Sequence, residues 1–226
     1  MAAPGASDTV VVVTGGDPVD VAHRRGVPAD AYVVAVDSGI EHAQAIDLEI
    51  DLAIGDFDSV RPDRLALAEA RGAEVQRHPT IKDATDLELA LDAAMARRPA
   101  RIHVLGGHGG RLDHLLANAL LLASPAYAKV AVTAQMGSAR VTVVRVGAHL
   151  DGAPGDLVTL VPFHGGAEGV TTSGLLYPLA DEPLHPGSTR GVSNELTHPR
   201  ATVRVTAGVV VAIQPGDRGT HLQELL

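Results

Sequence analysis

The stretch Ile54-Gly55-Asp56-Phe57-Asp58-Ser59 places two carboxylates one residue apart, directly after a short apolar segment from Asp51 to Ile54. That segment reads as a strand, and in open α/β sheets ligands bind at the C-terminal ends of the strands. Gly55 allows the backbone to turn sharply just before the acids. In a strand-like conformation Asp56 and Asp58 point to the same side. Two like charges on one side call for compensation, and a hard cation with oxygen ligands, such as Mg²⁺, is the usual one. The competing reading is structural, because Asp is favoured at turns and helix N-caps and Pro62 follows.

Three other stretches repeat the theme. Asp37-Ser38-Gly39 ends a buried β-branched strand, Ala31 to Val36. In Lys82-Asp83-Ala84-Thr85-Asp86, Thr85 and Glu88 form a capping box, which puts Asp86 at the first helical position beside free backbone N–H groups. Complementing the helix dipole is the alternative role for Asp86. The strand Arg101 to Leu105 runs into Gly106-Gly107-His108-Gly109-Gly110-Arg111 and then Leu112-Asp113-His114. Four glycines let the backbone approach an anion closely, and the helix N-terminus that follows favours phosphate. The spacing is neither the dinucleotide fingerprint nor a Walker A loop. Arg111 is placed to grip a phosphate with two prongs. A plain glycine loop beside a solvated helix face is the alternative. His114 alone reads as a residue supporting the ligands from behind or lying on the helix surface, rather than as a ligand itself. His103, His108 and the stretch Gly15-Gly16-Asp17 carry no assigned role.

These residues need a scaffold. Thr9 to Thr14 reads as a buried strand, and a helix is expected from Pro18 to about Arg25. Helices are also expected over Ile40 to Ile46 and Pro62 to Arg71, with strands at Glu74 to His78 and Val130 to Ala134. Leu87, Ala90, Leu91, Ala94 and Met95 recur at helical spacing and should face the sheet. Leu112, Leu115, Leu116, Ala119 and Leu120 make the apolar face of the next helix, with Asp113, His114 and Asn118 on a polar side. From about Met136 the character changes. Short β-branched runs alternate with Gly and Pro turns, at Arg140 to Val146, Asp156 to Pro162, Gly169 to Thr172, Ala201 to Ala207 and Val209 to Ile213. That pattern indicates a small antiparallel sandwich or barrel. The expected fold is an α/β protein. Its N-terminal domain, residues 1–136, is an open, mostly parallel α/β sheet, and its C-terminal domain, residues 137–226, is an all-β sandwich.

Composition limits the functions available. The 226 residues are 46% apolar but only 2% aromatic, with no Trp. Any aromatic contact to a ligand must therefore come from the three Tyr and two Phe. A net charge of −9 argues against broad phosphate-backbone contact with nucleic acid. The absence of Cys excludes disulfides, thiolate catalysis and Cys-ligated zinc. Met1 to Asp8 lack the basic residues of a signal peptide, and no apolar run is long enough to span a bilayer. A cytoplasmic protein without membrane or nucleic-acid partners is expected.

Asp37, Asp56, Asp58 and Asp86 all follow strands at one sheet edge. Converging carboxylates are unfavourable without a cation. With the glycine loop and Arg111 at the same edge, they suggest a metal–nucleotide site. The motifs DSG at Asp37, GDFDS at Gly55, KDATD at Lys82, GGHGGRLDH at Gly106, GVTTSGLLYPL at Gly169 and GVSNE at Gly191 together resemble those of the thiamine pyrophosphokinases. The resemblance runs from about Val33 to Ile213. It implies transfer of the terminal pyrophosphoryl unit of ATP to thiamine by a homodimer that holds thiamine near the subunit interface. It places Mg²⁺ on Asp37, Asp56, Asp58 and Asp86. It places the ATP phosphates near Lys82, Gly106, Gly107, Gly109, Gly110 and Arg111, with Asp113 also at the site, and thiamine near Tyr177, Ser193 and Asn194. Many relatives have Trp where this chain has Tyr177. A pyrophosphokinase of similar fold acting on a pterin-like heterocycle, or a non-catalytic sensor of nucleotide or thiamine diphosphate, are the alternatives.

Overall fold

A computed structural model describes residues 8–81 and 83–216, so Lys82 lies outside the described residues. The chain forms two compact units. One comprises residues 1–121 and 129–137, the other residues 122–128 and 138–226.

The first unit is built on six strands: β1 (Thr9–Val13), β2 (Tyr32–Val36), β3 (Leu52–Gly55), β4 (Glu74–Arg77), β5 (Arg101–Leu105) and β6 (Ala131–Met136). They pair in parallel in the order β4-β3-β2-β1-β5-β6. The sequence TVVVV of β1 is buried at every position, as expected of a strand covered on both faces. Four helices accompany the sheet: α1 (Gly39–Ala45), α2 (Pro62–Ala70), α3 (Asp86–Ala96) and α4 (Leu112–Leu122). Helix α1 packs on β1 and β2, and α3 packs on β1, β2 and β3. The buried residues of α3 are Leu87, Ala90, Leu91 and Ala94, matching its apolar spacing.

The strand order positions the site. From β1 the chain steps outward to β4, then returns to the other side of β1 with β5. Such a reversal leaves a crevice at the C-terminal ends of the two strands that flank it, here β1 and β5. The loops after these strands are joined by backbone hydrogen bonds. Gly107 N–H donates to Gly15 O (2.9 Å), and Asp17 N–H donates to His108 O (2.8 Å).

Two expectations for this unit are corrected. In place of a helix from Pro18 to Arg25 there is only a 3₁₀ turn, Val21–Gly26, none of whose residues is buried. Without an apolar face to dock, so short a helix has nothing to stabilise it. In α4 the expected apolar face is partly turned outward. Leu112, Leu116 and Leu120 are 68%, 57% and 48% exposed, whereas Asn118, expected on a polar side, is buried. The amide of Asn118 donates to Gly107 O (2.9 Å), which satisfies this polar side chain on the inward side of the helix.

The second unit contains β7 (Ala139–Val144), β8 (Gly147–Asp151), β9 (Leu157–Ser173), β10 (Glu182–Leu184), β11 (Asn194–Glu195), β12 (Arg200–Arg204) and β13 (Ala207–Gln214). Every pairing among them is antiparallel. The described residues after 137 contain no helix. Leu150, Val158, Leu160, Val170, Leu184, Val203 and Val210 are in its core. The runs Asp156 to Pro162 and Gly169 to Thr172 are parts of one strand, β9. Between them His164, Gly165 and Gly166 take left-handed φ values of 46°, 103° and 111°. The facing register shifts between Gly208 and Val209, so the glycines bend the strand as a bulge where a chain-reversing turn was expected.

Candidate active site

Strand β3 ends at Gly55, and Phe57 has φ 61°, so the chain leaves the extended conformation at once. Asp56 Oδ1 accepts a hydrogen bond from Asp58 N–H (3.1 Å). The strand-like geometry that would put both carboxylates on one side therefore does not reach Asp58, because a side-chain-capped turn replaces it. Phe57 anchors this turn. Its side chain is buried in the core of the unit, with the Arg77 guanidinium 5.1 Å from the ring centroid.

Asp37, with φ 44°, follows β2 and reaches across to the turn. Its Oδ1 accepts from Phe57 N–H (3.1 Å). Gly55 has φ 150°, and a Cβ at that position would collide with the Asp37 carboxyl group. Only glycine therefore leaves room for this carboxylate between the ends of β2 and β3.

A cavity of about 370 Å³ opens at this edge. It brings together Asp37, Asp86, Gly107, Gly109 and Arg111. Asp86 is the first residue of α3, and Thr85 Oγ1 accepts from Glu88 N–H (3.3 Å), so the expected cap places Asp86 at the wall. Gly106, Gly107, Gly109 and Gly110 have φ values of 93°, 78°, 120° and 25°, a run that suits glycine alone. At Gly106 a Cβ would lie 2.5 Å from Thr14 O, so this residue is fitted against the end of β1.

Other expected residues stand off this wall. Asp56, Asp58, Gly106, Gly110 and Asp113 do not line the cavity, and Asp58 is exposed. Among the described residues no three His, Asp or Glu side chains form a cluster able to hold a metal ion by themselves. Mg²⁺ is commonly held by only one or two carboxylates together with substrate phosphates. Asp37 and Asp86, hard oxygen donors in one cavity, fit that pattern.

Arg111 lines the cavity but is already engaged. Its Nε donates to Asp113 Oδ1 (2.9 Å) and its Nη2 to Asp113 Oδ2 (2.6 Å). Hydrogen bonding from Arg111 holds the Asp113 carboxyl well below the usual carboxylate range. Asp113 thus remains ionised and orients the guanidinium, whose outer N–H groups stay available.

Sequence reasoning missed Thr14, Gly15, Gly16, Ser38, Ser59 and Asn118, all on the cavity wall. Thr14, Gly15 and Gly16 follow β1 in turn, and the strand order was the signal that would have singled them out.

In the second unit Tyr177 is 57% exposed, so it is not a core residue. Its backbone is held by Asn194, which is 4% exposed. Asn194 Oδ1 accepts from Tyr177 N–H (3.0 Å), and Nδ2 donates to Tyr177 O (2.7 Å). Oδ1 also accepts from Glu195 N–H (2.9 Å). The Asn194 side chain is therefore committed to presenting Tyr177. Ser193 is exposed, with φ 57°, and its N–H donates to Thr159 Oγ1 (3.1 Å).

Carboxylates, a glycine loop and an arginine fork at the switch point of a parallel sheet define a phosphate-handling α/β enzyme. Residues 25–134 match the family described as thiamin pyrophosphokinase, catalytic domain, and residues 145–210 match its vitamin B1 binding domain. A thiamine pyrophosphokinase of Bacillus subtilis is 30% identical over 176 residues, covering 73% of this chain and 78% of that protein. A crystal structure of thiamine pyrophosphokinase from Bacillus subtilis superposes with a TM-score of 0.82 at 27% identity, covering 92% of this chain and 99% of the other. One from Geobacillus thermodenitrificans gives 0.79 at 28% identity, covering 93% and 99%. The chain belongs to the thiamin pyrophosphokinase family, and its mixed α/β fold with a large sheet matches those structures.

Proposed function

We propose that this chain transfers the pyrophosphoryl group of ATP to the hydroxyl of thiamine, giving thiamine diphosphate and AMP. The observation that carries the reading is the cavity at the β1–β5 switch point, where Asp37, Asp86, the glycine loop and Arg111 meet. Backbone N–H groups of the loop and the Arg111 guanidinium suit phosphate oxygens, and such transfer is mainly positioning and charge neutralisation. The thiamine hydroxyl oxygen bonds to the β-phosphorus. The bond from that phosphorus to the oxygen bridging it to the α-phosphorus breaks, AMP keeps the bridging oxygen with its electron pair, and the hydroxyl proton is released. Asp37 and Asp86 are the residues on the cavity wall that would hold Mg²⁺; Asp56 and Asp58, on the turn that follows β3, are the further ligands that the resemblance implies. When bound, it would neutralise charge on the phosphates.

In this reading residues 1–136 form the catalytic domain, with Lys82, Gly106 and Gly110 contributing to ATP binding. Residues 137–226 form a β-sandwich that binds thiamine at Tyr177, Ser193 and Asn194. The exposure of the Tyr177 ring and the clamp on its backbone support a ligand-facing role, since a cationic thiazolium is attracted to an aromatic face. A cytoplasmic homodimer completes the proposal, and light scattering at assay concentration tests the dimer. Incubation with ATP, Mg²⁺ and thiamine should yield AMP and thiamine diphosphate in equal amounts. No thiamine diphosphate above the enzyme-free control would refute the function.

A further inference from the structure

The glycine-rich loop over residues 106–110 contains one residue that is not glycine, and its side chain meets two other segments of the chain. The His108 ring lies against Gly137, where an added Cβ would sit 2.5 Å from Nε2. Asp17 Oδ2 lies 3.8 Å from the same nitrogen, near enough for a charge contact though beyond hydrogen-bond distance. The backbones interlock around this ring. Asp17 N–H donates to His108 O (2.8 Å), and Gly106 N–H donates to Gln135 O (3.0 Å). Gln135 Nε2 in turn donates to Gly137 O (2.8 Å), which fixes the floor under the ring. A Cβ on Gly16 would collide with His108 O, and one on Gly109 would lie 2.5 Å from Asp17 Oδ1.

Two physical points separate this ring from a simple filler. His108 Nδ1 is buried without a hydrogen-bond partner, a loss that an apolar side chain of similar size would avoid. In addition, four glycines make the loop costly to order, so a cradle of N–H groups stays preformed only if something fastens it. His108 lines the cavity, and its grip joins the ends of β1 and β6 to the loop after β5.

We propose that His108 is a positioning residue. Packed against Gly137 and close to Asp17, its ring fixes the 106–110 loop in the geometry that receives the nucleotide phosphates. This rests on the proposed ATP-binding role of that loop.

The test measures binding of the fluorescent analogue TNP-ATP with Mg²⁺, steady-state kinetics, and melting temperature for the native protein and three variants. His108→Ala should raise the Kd for TNP-ATP and the KM for ATP about tenfold, the scale of a lost preorganisation. The KM for thiamine should stay unchanged. His108→Gln keeps a side-chain N–H within reach of Asp17 and should recover most of the loss. Asp17→Ala should weaken nucleotide binding, and combining it with His108→Ala should add little, because both remove one clamp. An unchanged Kd in His108→Ala, or equal losses in His108→Ala and His108→Gln, overturns the proposal. So does a lowered melting temperature with both KM values rising together. If the native protein binds TNP-ATP but makes no thiamine diphosphate, the proposed activity fails while the binding data still judge the clamp.

Discussion

Asn194→Ala removes the side chain that holds Tyr177 in place. Three hydrogen bonds disappear, leaving Tyr177 N–H, Glu195 N–H and Tyr177 O without their partner. An orphaned buried polar group costs about 1–3 kcal/mol, but the exposed flank at Tyr177 lets water recover part of this, so a total near 3 kcal/mol is expected. Urea unfolding should show that loss as a lower midpoint at unchanged m. Loosening the Tyr177 backbone should also misplace its ring, so the KM for thiamine should rise about tenfold with the KM for ATP unchanged. Asn194→Asp keeps both accepted bonds but sets a carboxylate oxygen against Tyr177 O, so it should not restore wild-type binding. A stability loss under about 1 kcal/mol in Asn194→Ala would show that the amide does not hold this segment. Equal rises in both KM values would mean general destabilisation, and the assigned role would fall.

Asp86→Asn, nearly isosteric but uncharged, should lower kcat by about 100-fold or more while circular dichroism stays native, since a cavity carboxylate is lost where charge must be balanced. Retained activity at saturating Mg²⁺ would refute its role. Tyr177→Ala should weaken thiamine binding by about 1–2 kcal/mol with little change in ATP binding, as steady-state kinetics would show. For His103, burial and then the nearby His23 lower the pKa. Below about pH 6.5 the unfolded chain therefore takes up a proton that folded His103 refuses, so its contribution to stability falls as pH drops. Urea unfolding at pH 5.5 and 7.5 should show a smaller pH difference in His103→Gln than in the native protein.

Much of this was legible where one residue type leaves few options. The unbroken valines of β1 are a strand buried on both faces, and Thr85 with Glu88 marks the start of α3 and so places Asp86. Glycines at 55, 106, 107 and 109 announced close backbone approaches, which the positive φ values bear out. What escaped depends on tertiary geometry. Asp56 and Asp58 do not share a strand-like geometry because Phe57 between them takes φ 61°, and nothing local requires that. The face of α4 was misread because Asn118 is buried with its amide on Gly107 O, a partner outside the helix, while Leu112, Leu116 and Leu120 of the apolar stripe stay exposed. Gly15 and Gly16 belong to the cavity only because β5 returns beside β1, a pairing about ninety residues away in the chain. The loss of a turn at Gly165-Gly166 has the same origin, since β13 pairs across the bend.

The central claim is that a two-phosphate unit moves. ATP labelled at both the β- and γ-phosphorus, incubated with the protein, Mg²⁺ and thiamine, tests it most directly. Both labels should appear together in the thiamine product, in equal amount to unlabelled AMP. Transfer of the γ-label alone, with ADP and thiamine monophosphate as products, would contradict it.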